Sequence, residues 1–365
     1  MIDNSNFFRV SGDTFEVFVT GLSHSFTNSR DGHVRYDVHQ GNEDRLEYIC
    51  NEIYQYCKQN NFTLSDSYRN CIHYCFTQVI LDCRLENFYM GHFGAKIINL
   101  LNLNPNNTKI LVGVDPKDNL LDYNYEVDLL ADVNSCYFYT ELLKQNIDWE
   151  SIEIDKPIMS LAGRPTEYRA RFTKELIDIC GDRARISLGN VSQFPMSDTQ
   201  RKTYETLMKP YSFPFSQGTD DKILGYILDQ HGVPGYQLFK SLVQLVNETN
   251  DFSNDNIQLS EKSFKVFAWH QIPIFMASPK QVETVRNIGF DVFDDIIDHS
   301  YDYAPNLGLH DTKVLNIVAK FLKEYPTIES VNDLRKKLYP RLKANNDLLH
   351  LLHVNRKYQP WPYYS

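Results

Sequence analysis

The sequence predicts an α/β protein whose parallel sheets fall into two halves, on three observations. Short β-rich runs alternate with helical patterns along most of the chain. The alternation restarts after a polar stretch, Asp148–Pro157, that ends in proline. A length of 365 residues suits two cores of ordinary size better than one. Strands separated by helices pair in parallel through crossover connections, so two such runs imply two Rossmann-like halves, 1–155 and 156–328.

The first half opens with an alternating, aromatic-rich strand, Thr14–Leu22. A long polar loop follows, and then helical spacing over Arg45–Gln59 and Ser65–Cys83. Thr108–Val114 is a short apolar run bounded by turn residues, which suits a buried parallel strand. The second half reads as strand Ile158–Ala162, helix Thr166–Cys180 and strand Ala184–Leu188, then a Pro- and aromatic-rich loop, Phe194–Phe215, with one short helix. Leu238–Val246 is strand-like. Ser260 suits an N-cap for a helix through Trp269. Strand Ile272–Ala277, helix Pro279–Ile288 and strand-like Phe290–Phe293 come next, then helices Thr312–Tyr325 and Ser330–His353.

Composition narrows the function classes. Apolar residues make up 42% and charged residues 23%, which is ordinary globular usage. With 37 basic against 47 acidic side chains the net charge is −10, which argues against a general polyanion coat but leaves room for a local basic pocket. No apolar run approaches the ~20 residues of a membrane helix, and the N-terminus shows no secretory pattern. The seven cysteines contain no C-x-x-C pair and read as buried thiols of a cytoplasmic protein.

Two stretches carry candidate chemistry. In Gln258–Gly289, Ser260 would cap a helix whose first N–H groups attract anions. Lys262 adds a cation at that same end, against the helix dipole, which makes sense if an anionic ligand binds there. Glu261 would accept from ribose or sugar hydroxyls. The plainer alternative is an i,i+4 pair of Glu261 with Lys265 and a solvated Lys262. In Ser160–Glu175, Arg164 sits in a strand-to-helix turn and Arg169 and Arg171 in the first turns of the helix, where a guanidinium could grip a diphosphate or simply face solvent. Glu248, just past a strand, is a third candidate, as a sugar or base contact or a turn cap. The turn His299-Ser300-Tyr301-Asp302 reads as structural.

The order of strand, Glu248-Thr249, Ser260-Glu261-Lys262 at a helix start, and an Ile272-Pro273-Ile274 strand resembles the donor-binding segment of family 10 glycosyltransferases, the α-1,3-fucosyltransferases. Residues 158–303 are also similar to a broader set of phage and bacterial glycosyltransferase-like chains. The shared elements are Arg164/Arg169, Glu248-Thr249, Glu261-Lys262-Ser263-Phe264-Lys265, Gly289-Phe290 and Ser300-Tyr301-Asp302. Ser263-Phe264-Lys265 departs from the Trp-Arg-Asn of the fucosyltransferase pattern, and His270-Gln271 from the small residues usual before its proline strand.

This resemblance implies a GT-B-like fold of two facing Rossmann-like domains, with the donor in the C-terminal one. A last helix and aromatic tail, 329–365, would cross back onto the N-terminal domain. It implies a metal-independent transferase whose donor is a nucleotide-diphosphate sugar. Arg164, Arg169, Glu248, Ser260, Glu261, Lys262 and Lys265 would be the donor-binding residues, with the leaving diphosphate stabilised electrostatically. The acceptor could be a glycan, a protein or a hydroxymethylated base in phage DNA, and no membrane is involved. Candidate bases for the acceptor hydroxyl are His24, Asp31, His33 and Asp37, with His39, in the loop after the first strand.

A metal-dependent enzyme is the rival, on weak Asp-x-Asp-like echoes at Glu126-Val127-Asp128 and Asp295-Ile296-Ile297-Asp298. A non-catalytic sugar-nucleotide or carbohydrate-binding protein on the same fold is the alternative. A DNA-base acceptor would draw on Arg30, Arg35, Arg45, Lys96, Arg335-Lys336-Lys337, Arg341 and Lys343 and on the aromatic tail.

Overall fold

The computed structural model describes residues 7–19, 22, 40–60, 78–83, 89–101, 103–104, 106–112, 124–127, 148–162, 166–189, 197–211, 215–217, 239–248 and 257–355. The fold is mixed α/β with parallel sheets. The chain divides into two compact units, residues 1–132 with 357–365 and residues 133–356, so the division falls earlier than the expected 155/156.

In the first unit, strands β1 (Phe8–Ser11), β2 (Thr14–Phe18), β3 (Gln78–Cys83), β4 (Thr108–Val112) and β5 (Asn124–Val127) lie side by side in chain order. β1 is antiparallel to β2 and the rest are parallel. Phe15, Val17, Leu81 and Ile110 alternate onto one face and pack with Ile49 and Ile53 of helix α1 (Gln40–Gln59) and Ile97 of α2 (Tyr89–Leu100). Gly94 lets α2 approach β4 closely, since a Cβ there would stand 2.7 Å from Ile110 Cγ2. Among the described strands of this sheet the order runs without reversal. Residues 78–83 form a strand where a helix through Cys83 is expected. The run QVILDC is too short for its periodicity to separate a buried strand from a helix.

The second unit holds β6 (Lys156–Ala162), β7 (Ala184–Leu188), β8 (Phe215–Gln217), β9 (Ser241–Asn247) and β10 (Ile272–Met276), ordered β10-β9-β6-β7-β8. Numbered within the unit, this is the 3-2-1-4-5 order of a doubly wound sheet, with β8 antiparallel at one edge. Every residue of β9 and β10 is buried. Successive side chains point to opposite faces, so both faces of these strands are covered. Helices α3 (Glu167–Cys180), α4 (Asp198–Met208) and α7 (Leu307–Glu324) pack together, and α5 (Glu261–Ala268) packs with α8 (Ile328–Asn355). Phe267 of α5 stacks on Phe290, centroids 4.2 Å apart.

The end of α6 (Gln281–Ile288) shows why glycine stands at 289, where the backbone is left-handed at φ 113°. Residues 290–293 are irregular and not a strand. Polar Asp148–Pro157 is no joint but part of the second unit: Ile154 is buried, its N–H donates to Asn332 Oδ1 at 2.7 Å, and β6 starts at Lys156. Bonds within its own unit anchor α8. Arg341 grips Asp291 and Asp295, and Asn345 Nδ2 donates to the Asp291 carbonyl at 2.7 Å. The tail after 355 lies outside the described residues.

Candidate functional site

The strand order of the second sheet reverses between β6 and β9, and in open α/β sheets the crevice at the carboxyl ends of such a pair is where ligands bind. Glu248 occupies that place. Its N–H donates to the carbonyl of Met276, at the end of β10, at 3.1 Å. Its own carbonyl accepts from Arg169 Nη2 at 2.6 Å. Its side chain, in a residue only 1% exposed, reaches the N-terminus of α5. Oε1 accepts from Ser260 N (3.3 Å), Ser263 N (3.1 Å) and Ser263 Oγ (2.6 Å), and Oε2 accepts from Ser260 Oγ (2.5 Å). Four donors, two from Ser260 and two from Ser263, converge on it.

Ser260 is the N-cap, its Oγ accepting from Lys262 N at 3.2 Å. Helix α5 is therefore capped twice, by the short local side chain and by a carboxylate from a neighbouring strand. Behind them Gln281 Nε2 donates to the Gln258 carbonyl (2.8 Å) and to Ser263 Oγ (3.1 Å). That bond ties the start of α6 into the same buried network.

The charged side chains stand in front of this network. Lys262 Nζ lies 3.3 Å from Ser260 Oγ and 3.1 Å from Glu261 Oε1, and Lys265 Nζ is 4.0 Å from the same oxygen. Burial works to raise the Glu261 pKa, but Lys262 and Lys265 outweigh it and hold the carboxyl below its ordinary value. Arg169, whose N–H donates to the N-cap Thr166 at 3.2 Å, comes from the first turn of α3, after β6. Arg169 is thus anchored on Glu248 and Lys262 on Ser260, from two different helices, and Ser260 is itself bonded to Glu248.

This arrangement unites Arg169, Glu248, Ser260, Glu261, Lys262 and Lys265 and corrects two of their expected roles. The amides at the start of α5 are not open to a ligand, because Glu248 fills that position. Glu248 itself is buried inside the protein instead of presented as a strand-end contact. The i,i+4 pair of Glu261 and Lys265 is present, and Lys262 shares it. Arg171, four residues after Glu167, is paired with it at 2.6 Å. Arg164 and Thr249 lie outside the described residues, as do His24, Asp31, His33, Asp37 and His39.

The following turn is structural, as expected. Asp302 Oδ1 and Oδ2 accept from Val282 N and Glu283 N, each at 3.1 Å, capping α6 as Glu248 caps α5. Burial raises the Asp302 pKa, with those two bonds opposing it. His299 Nε2 faces the Val292 carbonyl at 2.7 Å and must donate to it, so Nδ1, 3.0 Å from the Tyr301 hydroxyl, is the acceptor. That hydroxyl in turn accepts from Phe275 N of edge strand β10 at 2.9 Å.

Two other expected sets of residues have internal duties. Asp295 bonds Arg341, and Asp298 accepts from Ser300 N at 2.9 Å. Asp128 lies outside the described residues, among which no group of His, Cys, Asp or Glu is arranged to hold a metal ion. Of the C-terminal cations, Arg335 is buried on the carbonyls of Trp149 and Glu150, Arg341 is spent on two aspartates, and Lys343 pairs with Asp347 at 2.5 Å. Arg30, Arg35 and the aromatic tail are outside the described residues. No described helix is long and apolar enough to cross a membrane.

The sequence reading missed Ser263, Gln281 and the inward turn of Glu248. The available signal was a Ser-x-x-Ser helix start twelve residues after a strand-end glutamate. No family model matches the chain, and no curated protein matches it in sequence.

Proposed function

We propose that the protein is a GT-B-like glycosyltransferase that moves a sugar from a nucleotide-diphosphate sugar to an acceptor hydroxyl. The observation that carries this reading is the convergence of Arg169 and Lys262, from helices following β6 and β9, on the carboxyl ends of those two strands. That is where a doubly wound sheet receives a nucleotide. In a chain of net charge −10, cations gathered there with Lys265 favour an anionic ligand. Arg169 and Lys262 would neutralise the charge that develops on the departing diphosphate without a metal. Glu261, kept ionised by its lysine neighbours, would accept from ribose or sugar hydroxyls. A residue outside the described segments, His24, Asp31, His33 or Asp37 among them, would take the acceptor proton. The acceptor is a glycan, a protein or a hydroxymethylated DNA base.

The test is turnover with chelator present. UDP-, GDP-, dTDP- and CMP-sugars are incubated with the protein and each acceptor class, and release of the free nucleotide is followed. Release from one nucleoside-diphosphate sugar, dependent on an acceptor and lost in Lys262→Ala, is expected. A sugar-nucleotide that binds without release in any acceptor mixture would favour a binding protein on the same fold.

A further inference from the structure

We propose that Glu248 is the positioning residue of the donor site: its backbone carbonyl holds Arg169, and its carboxylate fixes Ser260, on which Lys262 rests, at the ends of β6 and β9. A bound diphosphate would then be held by side-chain cations and not by helix amides. The inference rests on the donor-site reading above and adds to it how the phosphates are recognised.

Every polar atom of Glu248 is engaged, and its N–H, its carbonyl and its carboxylate engage three different parts of the site. Its N–H fixes β9 to the end of β10, and its carbonyl holds the Arg169 guanidinium at 2.6 Å. Its carboxylate holds both serines of the α5 start, and Ser260 in turn lies 3.3 Å from Lys262 Nζ. A helix N-terminus attracts an anion because its first amides have no internal partner. Here an anion is already supplied, buried and bound by four donors. A phosphate would have to displace a carboxylate that cannot leave without stranding two serine hydroxyls. Lys262 stands at the positive end of its helix without penalty for the same reason, since Glu248 and Glu261 offset it.

The experiment compares wild type, Glu248→Ala and Glu248→Gln in three readouts: thermal midpoint, its response to sodium formate, and affinity for UDP, GDP and dTDP. Glu248→Ala should lower the midpoint by roughly 5–10 °C. Formate, entering the vacated space, should restore part of that loss in Glu248→Ala alone. Affinity for the nucleoside diphosphate that wild type binds should fall at least about tenfold in both variants, and formate should recover it in Glu248→Ala.

Wild-type affinity in a folded Glu248→Ala would overturn the proposal. So would recovery of stability by formate with nucleotide affinity unchanged throughout, which would make Glu248 a cap and nothing more. Should Glu248→Ala not fold, the nucleotide affinity of Glu248→Gln decides the matter alone. No binding by wild type itself would instead defeat the donor-site reading, while the formate response would still report on the carboxylate.

Discussion

Glu248, Lys262 and His270 each turn a local environment into a measurable consequence. Removing the Glu248 carboxylate leaves two buried serine hydroxyls and two amides short of an acceptor, so Glu248→Ala should cost about 2–4 kcal/mol. Lys262 contributes little to the fold, being partly exposed, with its ammonium beside Glu261 and Ser260. Lys262→Ala should therefore keep the wild-type midpoint within about 1 kcal/mol of stability while losing nucleotide affinity, which a denaturation curve and a titration separate.

His270 sits at the other end of the sheet, before β10, with left-handed backbone at φ 55°. Burial pushes its pKa down to about 4 from 6.5, with Arg335 and Lys343 adding to the shift and Asp347 and Asn346 opposing it. Below pH 6.5 the unfolded chain takes up a proton that the folded one refuses until about pH 4. Stability therefore falls as pH falls through that window, by about 3 kcal/mol in all, and is unaffected above it. His270→Asn tolerates the same backbone and does not titrate, so its difference curve from wild type should reproduce that slope. A flat difference curve between those pH values would contradict it.

At the scale of elements, close packing and capping set what can be changed. Alanine is the better helix former, by about 1 kcal/mol over glycine. Gly94→Ala should nevertheless destabilise the first unit by about 1–3 kcal/mol, because the added methyl meets Ile110 on β4. Equal or greater stability in urea unfolding would show that α2 has room to move.

Many elements of the second half were legible in the sequence because their signals are local. Ser260 before an amphipathic run, Gly289 after one, and the apolar–polar alternation of Ala184–Leu188 each state their own conformation. β3 was not legible, since six residues of mixed apolar character fit either period. The partner of the α5 N-terminus was not legible either. Glu248 and Ser260 are twelve residues apart, and whether a strand-end carboxylate turns inward or outward depends on what the fold brings beside it. Arg169 and Lys262 were legible as cations at a strand-to-helix turn and a helix start, but the Glu248–Ser260 bond that links their anchors was not.

Over the whole molecule, the two units differ in kind. The second has the reversing strand order that creates a ligand crevice, and the described strands of the first run in simple sequence. The described strands of the two units are thus ordered differently, although both units alternate strand and helix in a way that composition and periodicity cannot tell apart. Strand order depends on which strands become neighbours, a non-local outcome. The second unit holds its own core, all of α8 and every described residue of the candidate site. Residues 133–356 expressed alone should therefore fold cooperatively and retain the nucleotide affinity of the full chain. Circular dichroism melting and a titration would check this, and an unfolded or non-binding fragment would contradict it.

The most direct measurement is a calorimetric titration of the full chain, in chelator, with UDP, GDP, dTDP and the corresponding nucleosides. One nucleoside diphosphate should bind while its nucleoside does not, and both Arg169→Ala and Lys262→Ala should weaken it by about tenfold or more, near 1.4 kcal/mol each. Binding that is absent for every diphosphate, or equally strong in both variants, would contradict a phosphate site at the ends of β6 and β9.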